Sequence, residues 1–429
     1  RNTNRRPAPA AAAAAALAEP TVSSASASAS AASSIRVFTL PDDIKQALQE
    51  DLLQPRVAVD VTDLRSLEAF LVEVRTIVRS HLASWDPAAL GALRSLVALS
   101  AGTGPGPTSI SAGVVFRNLP LDPYVPSTPT DGSTTLRKPT YVAEAMLLAV
   151  GELSGASVVG YESETQYSNP WVHEGFPYPQ QQQQQRQQQQ PGGDGHGSSA
   201  SAVGTAAAAA TGSALTMPKG MSHHQDMSYH PHPPDLLGLY CLREGHDRTL
   251  RTTVILNEDV VDRLPAPALR VLTEDRFQIH ASAWVVDGFA AGHEGRPIIT
   301  PLSSASPSAT SSATATATAT NDYDNVVGGV GRSDTLDLSI ALPVDWTNMV
   351  GLDDEAAAAL EALGAAIHAA PRYPIHFVEG DLLLFNNRRV VHARSDYTDL
   401  RLDGGDRVVD RAYFRREWPS EAARRTRMI

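Results

Sequence analysis

From Leu64 to Val78, apolar residues recur at three- and four-residue steps: Leu64, Leu67, Phe70, Leu71, Val74, Ile77 and Val78. That period is the mark of an amphipathic helix, and Thr62 is placed to cap it. Residues 42–53 form a shorter amphipathic run. Pro139 and Thr140 open a third helix, with Val142, Met146, Leu147 and Val150 on one face and Gly155 as its stop. Between these helices, residues 113–119 predict a strand. From about residue 157 the pattern shortens, and residues 236–242, 250–256, 276–286 and 335–342 are brief runs of strand character between turn signals. One helix interrupts them, started by Asp353 and Asp354, carrying Leu360, Leu363 and Ile367, and ended by Pro371. Residues 376–378, the turn Glu379-Gly380-Asp381, and residues 382–385 then predict strand, turn, strand, and residues 407–416 a last strand. Many short strands with a few helices predict an α+β fold, a sandwich or barrel packed against helices.

Three segments do not share this patterning. Residues 1–34 are mostly Ala, Ser, Pro and Arg, residues 179–220 carry glutamine tracts and a Gly/Ser/Ala stretch, and residues 303–334 are a Ser/Ala/Thr tract running into Gly. Such compositions lack the apolar surface to offset ordering entropy, so 179–220 and 303–334 are expected to be flexible loop insertions. The first of these is a candidate flap, because it leads directly into the most histidine-rich part of the chain. What remains is roughly 320 residues, enough for one large domain with a sizeable core, so residues 35–429 are expected to form a single domain. The chain starts at Arg1 and is read as a fragment or processed form, with residues 1–34 a disordered tail or a remnant of an organelle transit peptide.

The charge balance narrows the partners. A formal net charge of −12 argues against nucleic acid, and no apolar run approaches the roughly 18 residues of a membrane span. Cys241 is the single cysteine, so no internal disulfide forms and a reducing compartment is expected, the cytoplasm or, if the leader is a transit peptide, an organelle.

Four of the 13 histidines fall within residues 223–232. In that run His224 and Asp226 stand two apart, and on an extended segment residues i and i+2 point the same way. Arg389-Val390-Val391-His392 offers a further histidine 168 residues later. Two His and one carboxylate on one face, with other positions open, suit a non-haem Fe(II) oxygenase. The same ligands also suit a zinc hydrolase with an open position for water. On the last strand Arg407 and Arg411 project to one face with Val409 between them, a pair suited to carboxylate ligands. Thr252 and Thr253 could add a hydroxyl donor.

The stretch from His224-Gln225-Asp226 to Arg243 resembles the first-ligand region of the clavaminate synthase-like Fe(II)/2-oxoglutarate oxygenases, relatives of taurine dioxygenase that include amino-acid β-hydroxylases. The block from Glu379 through Asn386-Asn387-Arg388-Arg389-Val390-Val391-His392-Ala393-Arg394 to Arg411 agrees, as does Gly160-Tyr161 with Glu164. The similarity spans roughly residues 110–416. It implies a double-stranded β-helix, or jelly-roll, core with flanking helices. It further implies that His224, Asp226 and His392 hold Fe(II), and that Arg407, helped by Thr252 or Thr253, pairs with the distal carboxylate of 2-oxoglutarate. Arg411 would meet the substrate carboxylate or support the co-substrate, and Glu164 would lie on the substrate side. The implied reaction couples oxidative decarboxylation of 2-oxoglutarate by O2 to hydroxylation of an unactivated C–H in a small amino-acid-like molecule. Three positions depart from the pattern: Asp226 stands where the amino-acid hydroxylases usually carry Glu, Ala393 replaces a usual glycine, and Asn386 stands where Asp is commoner. A zinc hydrolase would leave both arginines without a role, and a non-catalytic scaffold binding partners through the low-complexity tracts would leave both ligand blocks unexplained.

Overall fold

The computed structural model describes residues 35–54, 64–97, 112–128, 138–161, 171–174, 221–228, 230–279, 293–301, 338–343, 346–401 and 403–426. The tail at 1–34, the tract at 179–220 and the tract at 303–334 lie outside them. So do Thr62, Glu164 and residues 280–286.

The order of elements is β1 (Ile35–Thr39), α1 (Asp42–Leu52), α2 (Leu64–Trp85), α3 (Pro87–Ser95), β2 (Gly113–Arg117), α4 (Val142–Leu153), β3 (Ser157–Val159), β4 (Trp171–Glu174), β5 (Met221–His224), β6 (Leu236–Arg243), β7 (Thr252–Leu256), α5 (Asn257–Val261) and α6 (Ala266–Leu272). There follow β8 (Phe277–Ile279), β9 (His293–Arg296), β10 (Ile299–Pro301), β11 (Leu338–Ile340), β12 (Met349–Gly351), α7 (Asp354–Ala369), β13 (Tyr373–Ile375), β14 (Leu382–Asn386), β15 (Val390–Arg394), β16 (Val408–Arg415) and α8 (Glu421–Thr426). The fold is α+β. Residues 376–378, expected in a strand, lie just past it: β13 ends at Ile375, because its partner β7 begins at Thr252 and leaves nothing beyond Ile375 to pair with.

Two sheets carry the molecule. The larger runs β1-β2-β14-β6-β16-β3, with β4 also on β16, and the smaller runs β13-β7-β15-β5. All their pairings are antiparallel except β1 with β2. Strand alternation sorts side chains into layers. Leu382 and Leu384 of β14, and Tyr240 and Leu242 of β6, pack toward α1–α4. Leu383, Phe385, Leu237, Leu239 and Cys241 turn the other way, against Val254, Leu256, Ile375 and Val390 of the smaller sheet. Ile255 and Val391 leave that sheet on its far side and pack with α5, α6 and α7. The smaller sheet is thus buried on both faces, which is why Val254-Ile255-Leu256 is apolar without alternation.

Local chemistry fixes the helices. Asp353 accepts from Ala356 N at 2.8 Å and starts α7. α4 lacks a cap from its own N-cap residue, and Asp122 serves from a distance, accepting from Val142 N and Ala143 N. Gly151 lets α4 lie flat on the larger sheet, since a Cβ there would stand 2.1 Å from the Phe414 ring.

Candidate metal centre

The space between the sheets opens into a small, partly open cavity at the β5, β15 and β16 end. Strand register builds its wall. β15 pairs β5 so that His392 lies directly opposite His224, the two ring centroids 4.2 Å apart. β5 ends at His224, so Asp226 is not on the extended segment the sequence suggested; it sits in a turn where Met227 takes a φ of 56°. The turn still returns its carboxylate to the histidines. Asp226 Oδ1 lies 3.1 Å from His224 Nε2 and 3.3 Å from His392 Nε2, and all three residues are buried.

Asn387, in the β14–β15 turn, holds the Asp226 backbone from both sides. Its Oδ1 accepts from Asp226 N at 3.1 Å, and its Nδ2 donates to Asp226 O at 3.0 Å. The second carboxylate oxygen, Oδ2, accepts from Arg411 Nη1 at 2.7 Å and from the Tyr413 hydroxyl at 2.9 Å. Burial alone would raise the Asp226 pKa, but the Arg411 guanidinium beside it brings it well below the usual carboxylate range. Burial, with His224 alongside, lowers His392 to about 4, so its ring is neutral near pH 7.

This donor set fits a cation. His224 Nδ1 sits 2.7 Å from Ser222 O, a carbonyl that can only accept, so Nδ1 carries the proton. In the neutral form that a metal ligand takes, the ring turns a lone pair on Nε2 toward Asp226 Oδ1. Electron-rich atoms converging on one point oppose each other unless a positive ion lies between them, and His224, Asp226 and His392 offer ligand atoms within 4.8 Å of one another.

Further along the cavity stand Thr252, Arg394 and Arg407, all buried. The alternation of β7 decides between the two threonines. Thr252 shares the cavity side with Val254, whereas Thr253 shares the opposite side with Ile255 and is not among the lining residues. Arg394 is in register with Thr252, and Arg407 lies over the Phe377 ring at 5.5 Å. Arg411, expected to meet the substrate carboxylate or support the co-substrate, lines the cavity and is engaged with Asp226. Burial pushes the Cys241 thiol up to about 12, which makes it a neutral packing residue. Glu164 lies outside the described residues.

Sequence reasoning missed Arg394, Tyr413 and Asn387. The signal for the first two was available: each stands two residues after a named site residue on the same strand, His392 and Arg411, and so shares its face.

The family model for taurine catabolism dioxygenases of the TauD, TfdA family matches residues 172–413, more than half of the chain. The chain belongs to this family. It is an oxidoreductase, a dioxygenase of the kind that works with Fe(II), 2-oxoglutarate and O2. Solved structures give the same fold. An asparagine oxygenase in complex with Fe(II), 2S,3S-3-hydroxyasparagine and succinate is 18% identical at a TM-score of 0.58, covering 89% of this chain and 93% of that one. The non-heme iron oxygenase OrfP with Fe and alpha-ketoglutaric acid is 18% identical at 0.57, covering 89% and 94%. OrfP in a further structure reaches 0.59, covering 92% and 99%. No curated protein matches in sequence. Among the described residues, no helix is long and apolar enough to cross a membrane.

Proposed function

We propose that this dioxygenase hydroxylates an unactivated C–H of a small carboxylated, amino-acid-like molecule, with His224, Asp226 and His392 holding Fe(II). The observation that carries this reading is the convergence of His224 Nε2, His392 Nε2 and Asp226 Oδ1 at the wall of a cavity that Arg394, Arg407 and Arg411 also line. When bound, the iron supplies the oxidising chemistry at positions the three side chains leave open. The rest belongs to the chain. Arg407, with the hydroxyl of Thr252, takes the distal carboxylate of 2-oxoglutarate in a fork geometry suited to a carboxylate. Leu237, Leu239 and Val409 line the same cavity and exclude water from the reacting groups. A substrate carboxylate meets Arg411 beside Asp226, and Glu164 is the second substrate residue.

The amino-acid class is supported by what the similar structures contain, hydroxyasparagine in the asparagine oxygenase and (3S)-hydroxy-L-Arg in OrfP. We read the two facing sheets as a double-stranded β-helix, and residues 35–429 as one oxygenase domain interrupted by insertions at 179–220 and 303–334. A zinc hydrolase would give the lining arginines no task.

The test is a screen for succinate with Fe(II), 2-oxoglutarate and the free amino acids. The expected result is one amino acid whose hydroxylated product accumulates in step with succinate. Turnover without 2-oxoglutarate, or with Zn(II) in place of Fe(II), would overturn the reading.

A further inference from the structure

We propose that Tyr413 is a positioning residue which, with Arg411, locks one oxygen of Asp226 so that the other alone faces the metal; this rests on the metal-holding set assigned above. Asp226 needs such a lock. It lies beyond the end of β5, and although Asn387 fixes its backbone, backbone bonds leave the carboxylate free to rotate about its terminal torsion. A rotating carboxylate can offer a cation both oxygens. Chelation of that kind would close a coordination position that a two-His, one-carboxylate oxygenase site keeps open.

The geometry divides the two oxygens. Oδ1 faces the imidazole nitrogens at 3.1 and 3.3 Å. Oδ2 faces away from them and accepts from Arg411 at 2.7 Å and Tyr413 at 2.9 Å. Both are donors to an ionised acceptor, the stronger class of hydrogen bond.

The two donors are not equivalent. Arg411 lines the cavity, where an entering anion competes for its guanidinium. Tyr413 stands behind Asp226, outside the cavity lining. Its strand is paired on both sides, with Tyr413 opposite Leu237 of β6 and Val159 of β3. Its ring is met edge-on by Tyr161 at 5.4 Å and 89°, and the Arg411 guanidinium lies 4.7 Å from its centroid. A phenol held so firmly keeps its bond to Oδ2 when Arg411 turns to a ligand.

The experiment measures Mn(II) binding by calorimetry without 2-oxoglutarate, together with the melting temperature of the metal-free chain. Tyr413→Phe should melt close to the wild type yet bind Mn(II) about tenfold more weakly, the lower end of what losing a partner of a metal ligand costs. Arg411→Met, which deletes the other donor to Oδ2, should weaken Mn(II) at least as far and gives a second route if the Phe variant does not fold. Tyr161→Phe is the control, because its hydroxyl donates to His232 O at 2.7 Å and not to Asp226. Unchanged Mn(II) affinity in Tyr413→Phe, or an equal loss in Tyr161→Phe, overturns the proposal. Equal Mn(II) binding by wild type and His392→Ala would instead overturn the metal assignment beneath it.

Discussion

The two faces of β16 both bury charge, and they do opposite things with it. On the side toward the helices, Asp410 is fully buried near Lys138, whose Nζ lies 2.6 Å from Asp122 Oδ2 and 2.7 Å from Glu144 Oε2. Asp122 in turn accepts from Thr140 and from the first N–H groups of α4. Burial would push the Lys138 ammonium down, but Glu144, Asp410 and Asp122 hold it well above the ordinary lysine value. On the other side Arg411 and Tyr413 reach Asp226, and Arg407, just before the strand, reaches the cavity. The first cluster is closed, each named charge facing an opposite one in a dry helix–sheet layer. The second brings two imidazoles and a carboxylate together at the wall of a cavity. Buried charge alone therefore does not mark a functional site; buried charge set beside converging ligand atoms and a cavity does.

The largest expected effect lies in the closed cluster. Removing one partner of a buried ion pair strands the others, at about 3–5 kcal/mol. Lys138→Met should therefore lower denaturation stability by that order, while the fraction that remains folded binds Mn(II) as tightly as wild type. A variant as stable as the parent would show the helix-side charges to be dispensable, and the comparison would lose one of its arms.

His392→Ala should break the open cluster in the reverse sense. Succinate formation should vanish and Mn(II) binding should fall steeply, while the melting temperature changes far less than in Lys138→Met. Residual turnover would remove His392 from the site.

The sequence was most informative where a residue's face follows from strand period. Arg407 and Arg411, two face-repeats apart, do share the cavity, and the strand read at residues 236–242 is there, its period sorting side chains between the two cores. It was least informative where position depends on long-range closure. His224-x-Asp226 suggested a single strand, but the site is made by a turn with left-handed Met227, tied to Asn387 some 161 residues away. The link from Arg411 to Asp226 spans 185 residues, and nothing local distinguishes an arginine waiting for substrate from one already committed. Lys138 carries no local sign either, since its partners Asp122 and Glu144 lie on different elements.

Arg407→Ala comes next in size. Loss of the guanidinium should raise the 2-oxoglutarate concentration needed for half-maximal succinate formation by about 100-fold, in line with the cost of leaving a buried carboxylate without its partner. Metal affinity should not change, since Arg407 does not touch Asp226. If Arg407→Ala lost Mn(II) instead, the division of the cavity into a metal end and a co-substrate end would be wrong.

A smaller effect follows from pH. Burial lowers His392 and His230 to about 4 and His223 to about 3. In the unfolded chain these rings take up protons near 6.5. Between those limits the unfolded state binds more protons, so stability falls as pH falls. The melting temperature of the chelator-treated chain should be flat above about pH 7 and decline from about 6.5 toward 4. A flat profile through that window would mean that the rings protonate in place.

The smallest effect is the sharpest test of register. Thr252 and Thr253 are neighbours of identical chemistry, and only the alternation of β7 separates them: Thr252 lines the cavity opposite Arg394, while Thr253 turns to the face that Ile255 shares with the helices. Replacing a threonine with valine keeps the β-branched shape and deletes one hydroxyl, which is worth about 1 kcal/mol where it makes a hydrogen bond. Thr252→Val should therefore raise the 2-oxoglutarate requirement by about fivefold, and Thr253→Val should leave it unchanged. A one-residue slip of β7 against β15 would exchange the two outcomes, because it moves every side chain of the strand to the other face. Such an exchange would carry Val254 out of the cavity-side core and Ile255 into it, so the two kinetic measurements also report on the register that sets His392 opposite His224.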